Sequence, residues 1–201
     1  MNNVSRHEVS ATIAGLLAQV EQAELERAKD RRAAAFRDIR AEISRLQRQI
    51  RFTEEFEEIG IHPPCWLPLV QLVTAPENLA IVIGPELGMF EIFADPLITK
   101  VFRYLAENTL KHGFHATEIR FGAAEAGNRL MVTVEDNGTG IPVKDKKKIF
   151  RRAGGDRAGM GLFLVREILA ITGIAIEETG LPGKGARFEI LVPEMSYRKQ
   201  A

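Results

Sequence analysis

Hydrophobic positions in the first sixty residues recur with a helical period. Val9, Ile13, Leu16 and Val20 follow one another at four, three and four residues. Phe36, Ile39, Ile43, Leu46 and Ile50 follow at three, four, three and four. This spacing predicts two amphipathic helices with heptad-like seams. The polar stretch at 28–33 carries no seam residue and predicts a turn between them. Antiparallel helices of ~20–25 residues would each run ~30–37 Å. Neither could bury its stripe alone, so two hairpins are expected to associate as a four-helix bundle, a homodimer.

The pattern changes at Gly60. Pro63, Pro64 and Pro68 break the helical period and predict a linker over 61–68. From residue 69 the reading is mixed. Strand-like alternation at 79–84 and 89–95 is followed by a helix from Pro96 to His112. Segments 117–124 and 129–136 predict a hairpin around Gly127-Asn128. A basic, glycine-rich stretch at 137–158 leads to a helix over 160–172, and strands at 174–179 and 186–193 close the chain. The order β-β-α-β-β-α-β-β lacks the strict alternation of a parallel sheet. It predicts an α+β fold, with a mixed sheet carrying its helices on one face. The expected domains are a hairpin at 1–60 and a mixed domain at 69–201.

Composition narrows the function classes. Lys and Arg total 27 of 201 residues, as do Asp and Glu, so the formal charge is zero. Broad nucleic-acid coating needs a basic surplus and is not expected. The single cysteine, Cys65, leaves no intramolecular disulfide framework. No apolar run approaches the ~18–20 residues of a spanning helix, and the first residues lack a signal-peptide core. The expected location is the cytoplasm, with any membrane attachment through a sensor region outside this chain.

Four clusters carry candidate chemistry: YLAENTLKHG at 104–113, VEDNGTGIP at 134–142, AGMGLFLVREI at 158–168 and PGKGARFEI at 182–190. Each alone is unspecific, and an Asp-Asn-Gly at a strand end is also a common Asx turn. In this order and spacing they resemble the ATP-binding domain of sensor histidine kinases, within the wider group of Bergerat-fold ATPases. The resemblance covers residues ~79–193. It extends to SRHEV at 5–9, which is similar to the phosphoacceptor motif, and to 39–66, which is similar to the second dimerisation helix and linker of archaeal-type sensor kinases.

The resemblance implies ATP and Mg²⁺ as ligands. Asn108 becomes the metal ligand, through an amide oxygen of the hard type Mg²⁺ accepts. Lys111 and His112 become phosphate contacts on the same helix. Asp136 becomes the acceptor for the adenine amine, with Gly138 and Gly140 letting the backbone pass close to the base. Gly159, Gly161 and Leu162 open a helix whose N-terminal N–H groups suit phosphate. The basic residues Lys144, Lys146, Lys147, Lys148, Arg151 and Arg152 fall in the ATP lid, with Ile149-Phe150 as its apolar anchor and Arg157 toward the γ-phosphate. Gly183, Gly185 and Ala186 take a structural role behind the nucleotide.

His7 becomes the phosphoacceptor and Glu8 its proton acceptor. At 100° per residue, the stripe Val9, Ile13, Leu16 and Val20 centres about 150° from His7, which predicts an exposed imidazole. The implied partner is the receiver domain of a response regulator. Two positions depart from the family's pattern. Tyr104 stands where many members carry Asn or Glu, which bears on autokinase rate. Ala11 stands where Thr or Asn often supports phosphatase activity, so weak phosphatase activity is expected. A phosphotransfer scaffold with a degenerate ATPase domain, or an anti-sigma-type serine kinase, are the alternatives.

Overall fold

The computed structural model describes residues 2–26, 29–74, 76, 78–151 and 160–200, the side chains of 2–9 excepted. The chain divides into two compact units, Met1–Glu57 and Glu58–Ala201.

The first unit is a helical hairpin of α1 (Asn2–Leu25) and α2 (Lys29–Glu58). Helix α2 begins earlier than expected, because Lys29–Ala35 join it. This run has good helix formers and Asp30 in the first turn, where a carboxylate favours the helix dipole. Leu16, Ala23, Ile39 and Leu46 form the interior of the hairpin, with Val20 and Ala35 beside them. The α2 seam therefore splits. Ile39 and Leu46 turn inward, while Phe36, Ile43 and Ile50, at seven-residue intervals, stay 42%, 43% and 45% exposed.

The second unit holds two sheets. The larger has the order β2 (Ala80–Ile83), β4 (Glu118–Ala126), β5 (Arg129–Asp136), β7 (Arg187–Pro193), β6 (Ala175–Glu178). Strand β2 runs parallel to β4 and every other pairing is antiparallel. The β4–β5 hairpin pairs Ala126 with Arg129 across Gly127-Asn128, with Gly127 at φ +64°. A positive φ at the first central position suits the twist of a two-residue hairpin.

The smaller antiparallel sheet joins β1 (Cys65–Pro68), β3 (Phe90–Ala94) and β8 (Tyr197–Lys199) in the order β1-β3-β8. Two expectations change here. The supposed linker 61–68 contributes a paired strand, because Trp66 and Leu67 have Phe93 and Ile92 as register partners. The stretches 80–83 and 90–94 enter different sheets, since the 3₁₀ turn Pro85–Met89 redirects the chain between them.

One core unites the unit. Ile119, Phe121, Leu130, Val132, Val134, Phe188, Ile190 and Val192 alternate inward along β4, β5 and β7. They meet the apolar faces of α4 (Ile98–His112) and α5 (Met160–Ala170), chiefly Val101, Phe102, Leu105, Val165, Ile168 and Leu169. A short helix, α3 (Leu69–Leu72), adds buried leucines. Asp95 governs the entry to α4. Its Oδ1 accepts the Leu97 N–H at 2.8 Å and its Oδ2 accepts the Gly60 N–H at 3.0 Å. Lys100 on the first turn of α4 pairs with Glu58 at 2.9 Å.

Candidate functional site

The site forms where the C-terminal half of α4, the end of β5, the start of α5 and the 180–186 turn converge. At its centre lies Asp136, the last residue of β5, 7% exposed. Its Oδ1 accepts the Gly138 N–H at 2.9 Å and the Ala186 N–H at 3.0 Å. Its Oδ2 accepts the Thr109 hydroxyl at 3.0 Å. A carboxylate offers about four lone-pair sites, so these three bonds leave one, on Oδ2, for an external donor. The Asx turn to Gly138 and a ligand-facing role are thus compatible in one side chain.

Glycines let these backbones meet. A Cβ on Gly138 would lie 2.4 Å from the Gly113 carbonyl oxygen, and one on Gly185 (φ +112°) would lie 1.8 Å from that of Asp136. Gly140, at φ +70°, abuts the carbonyls of Gly185 and Leu181. In each case the neighbour is another strand or turn of the same site, so the glycines serve internal close packing. The Gly183 N–H donates to the Thr139 carbonyl, and the Thr139 N–H to that of Gly113.

On α4 the Asn108 side chain is half-buried and makes no hydrogen bond among the described residues. Its amide oxygen is a hard neutral donor with a free lone pair. No cluster of three or more His, Cys, Asp or Glu competes for a metal among the described residues. An amide oxygen of this kind could hold a Mg²⁺. Lys111 is exposed and donates to Glu107 Oε2 at 2.9 Å, and Arg103 approaches the same carboxylate at 3.8 Å. His112 is exposed at the end of the helix. Tyr104, one turn before Asn108, lies against Gly161 on α5, where an added Cβ would be 3.6 Å from the ring. It acts as a packing residue between α4 and α5.

Two expectations change, and several others fall on residues that are not described. The Leu162 side chain is buried in the core, so only its backbone N–H is available at the start of α5. Lys146 is not a free lid cation: it ion-pairs with buried Glu178 at 2.8 Å. Arg152, Arg157 and Gly159 lie outside the described residues, as do the side chains of His7 and Glu8, although both sit within α1. Phe150 is buried, edge-on to Phe188 at 6.2 Å, with Ile149 packed on the core.

Two site residues escaped the sequence reading. Thr109 occupies the apolar stripe of α4, four residues after Leu105, and a polar residue on such a stripe was the available signal. Asn137 accepts the N–H groups of Thr117 and Glu118 at 2.9 and 3.1 Å and donates to the Thr117 hydroxyl at 2.9 Å. It ties the 113–117 loop to the end of β5, twenty residues away in sequence.

Comparison with known proteins places this geometry. Residues 94–196, about half of the chain, match the family described as histidine kinase-, DNA gyrase B-, and HSP90-like ATPase. The alginate biosynthesis sensor protein KinB of Pseudomonas aeruginosa is 38% identical over 124 residues, covering 58% of this chain and 20% of KinB. Across the curated relatives it matches, the chain spans between 12% and 33% of their length. The ATP-binding domain of PrrB from Mycobacterium tuberculosis has the same fold, with TM-score 0.55 at 21% identity over 66% of this chain and 98% of that one. So does the histidine kinase ThkA in its complex with the response regulator TrrA, with TM-score 0.63 at 18% identity over 96% of this chain and 61% of that one. A Bergerat-type sheet, a buried strand-end aspartate and a family match across all four motifs converge: the chain belongs to the histidine kinase-, DNA gyrase B- and HSP90-like ATPase family.

Proposed function

We propose that this chain is the catalytic core of a two-component sensor histidine kinase. It autophosphorylates on His7 with ATP and passes the phosphoryl group to an aspartate in a response-regulator receiver domain. The observation that carries the ATP reading is Asp136: a buried carboxylate held by Thr109, Gly138 and Ala186, with one acceptor site left for a donor such as the adenine amine. Guanine presents a carbonyl at that position and would be repelled. The helical hairpin bearing His7 supports the kinase reading over a serine kinase or plain ATPase, neither of which needs one.

In this mechanism one nitrogen of the neutral His7 imidazole attacks the γ-phosphorus in line. The N–P bond forms as the bond to the bridging oxygen breaks, and ADP leaves with that electron pair. Glu8 takes the proton of the other ring nitrogen. Asn108 would hold Mg²⁺, which supplies charge neutralisation on the phosphates when bound. Lys111 must exchange Glu107 for a phosphate oxygen, and the N–H groups at the start of α5 offer further donors. Two copies associate through the Phe36–Ile43–Ile50 stripe and Ile13, apolar positions the isolated hairpin leaves exposed. No described helix is long and apolar enough to cross a membrane.

Incubation with γ-labelled ATP and Mg²⁺ tests the reading. Acid-labile, alkali-stable label that disappears in His7→Gln is expected. Label that persists in His7→Gln, or that survives acid, overturns the His7 assignment. Absence of any label favours the phosphotransfer scaffold, a reading supported by Tyr104 packing where a second polar ligand would sit.

A further inference from the structure

Lys146 and Glu178 form an ion pair that the proposed chemistry does not use. Glu178 ends β6 with its side chain fully buried, on the face of the strand that meets the core. An uncompensated carboxylate there would be costly. Its Oε1 accepts the N–H groups of Gly180 at 3.1 Å and Arg187 at 3.3 Å. Its Oε2 faces the Lys146 ammonium at 2.8 Å as an ion pair, and the same ammonium donates to the Gly180 carbonyl.

This carboxylate touches three segments at once. Through Lys146 it holds the 143–150 turns, which Phe150 also anchors on Phe188. Through Gly180 it fixes the start of the 180–186 turn. Through the Arg187 N–H it fixes the end of that turn, one residue after Ala186, whose own N–H bonds Asp136 Oδ1. Leu181 and Gly185, inside the turn, support Gly140 from below. The path from the Lys146 ammonium to the Asp136 carboxylate is therefore continuous in hydrogen bonds and backbone contacts.

We propose that Lys146 and Glu178 are positioning residues for the adenine end of the nucleotide site, with the Lys146 charge spent inside the protein and not on phosphate. This rests on the ATP reading of Asp136. It separates two roles that a basic segment near a triphosphate would otherwise share. A phosphate-binding lysine acts on ligands in proportion to their phosphates. A lysine that holds the 180–186 turn acts on adenosine, ADP and ATP alike.

The test measures adenosine, ADP and ATP affinities on the full chain by NMR titration. Wild type is compared with Lys146→Met, Lys146→Arg and the double variant Lys146→Met/Glu178→Met. Lys146→Met is expected to weaken all three ligands by a similar factor, on the order of tenfold, and Lys146→Arg to recover most of it. The double variant removes both buried charges, so its unfolding midpoint should return toward wild type. Its adenosine affinity should stay weak, because the Gly180 and Arg187 N–H groups have lost their acceptor. Weakening of ATP but not adenosine would make Lys146 a phosphate contact and overturn the proposal. Recovery of affinity in step with stability in the double variant would reduce the pair to a structural role and also overturn it. Wild type that binds none of the three ligands would overturn the ATP reading of Asp136, and the proposal with it.

Discussion

The Thr109 hydroxyl and the Asp136 carboxylate, 27 residues apart in sequence, meet at 3.0 Å with both side chains buried. This bond joins α4 to the end of β5 and takes one of the two acceptor sites of Oδ2, leaving the other open. Thr109→Val keeps the shape and removes the donor. It is expected to cost about 1 kcal/mol of stability and to weaken ADP binding severalfold, measured by urea unfolding and calorimetric titration. Asp136→Asn should abolish nucleotide binding while the sheet stays folded. Unchanged ADP affinity in Asp136→Asn would remove the adenine role of this residue.

A second expectation concerns the hairpin. Ile43 is exposed at the middle of the stripe that Phe36 and Ile50 continue, whereas Leu46 faces inward. Ile43→Asp should convert a dimer to a monomer in light scattering while leaving helix content at high concentration nearly unchanged. Leu46→Ala should instead cost about 2–5 kcal/mol through a core cavity. A wild-type chain that is monomeric at all accessible concentrations would end the four-helix-bundle reading.

The close approach at Gly185 allows little tolerance. Its φ of +112° and the 1.8 Å that would separate a Cβ from the Asp136 carbonyl oxygen make Gly185→Ala doubly unfavourable. A loss of several kcal/mol is expected by chemical denaturation, on the scale of the largest single-residue effects. Gly127→Ala, in open space but also at positive φ, should lose only about 1 kcal/mol. Equal losses at the two positions would mean that backbone conformation, not crowding against Asp136, sets the cost.

Acid sensitivity should have a component at Glu58. The Lys100 ammonium donates to this carboxylate and holds its pKa below the ordinary 4.5. A lowered folded-state pKa adds stability above the unfolded-state value and loses it as pH falls through the folded one. The difference in unfolding midpoint between wild type and Lys100→Met should be present at neutral pH and close under acid. A difference that persists below the carboxylate range would point to packing of the Lys100 stem instead.

Much of this protein was legible from periodicity. The helices over 98–112 and 160–170, the Gly127-Asn128 hairpin and the inward alternation of β5 and β7 follow from spacing and turn chemistry, both of which act locally. Strand β1 was not legible, because Pro68 and the neighbouring prolines mark a break, and only Phe93 and Ile92 across the sheet make Cys65–Pro68 a strand. At the site, Asp136 and its glycines stood out by motif. Thr109 and Asn137 did not, since their partners are set by tertiary approach. Lys146 was misread for the same reason: in sequence it is one lysine among several, and only Glu178, 32 residues on, distinguishes it.

The double use of Asp95 decides where the ATPase unit can be excised. Its two oxygens cap α4 and hold the Gly60 N–H, and β1 closes one edge of the smaller sheet. A fragment starting at Leu69, where the helical and proline-rich residues end, would strip out that strand. It would leave a buried carboxylate oxygen orphaned beside the first turn of α4. A fragment starting a few residues before Glu58 retains both, so the natural seam for an independently folding ATPase lies within the last turn of α2 and not in the proline segment after it.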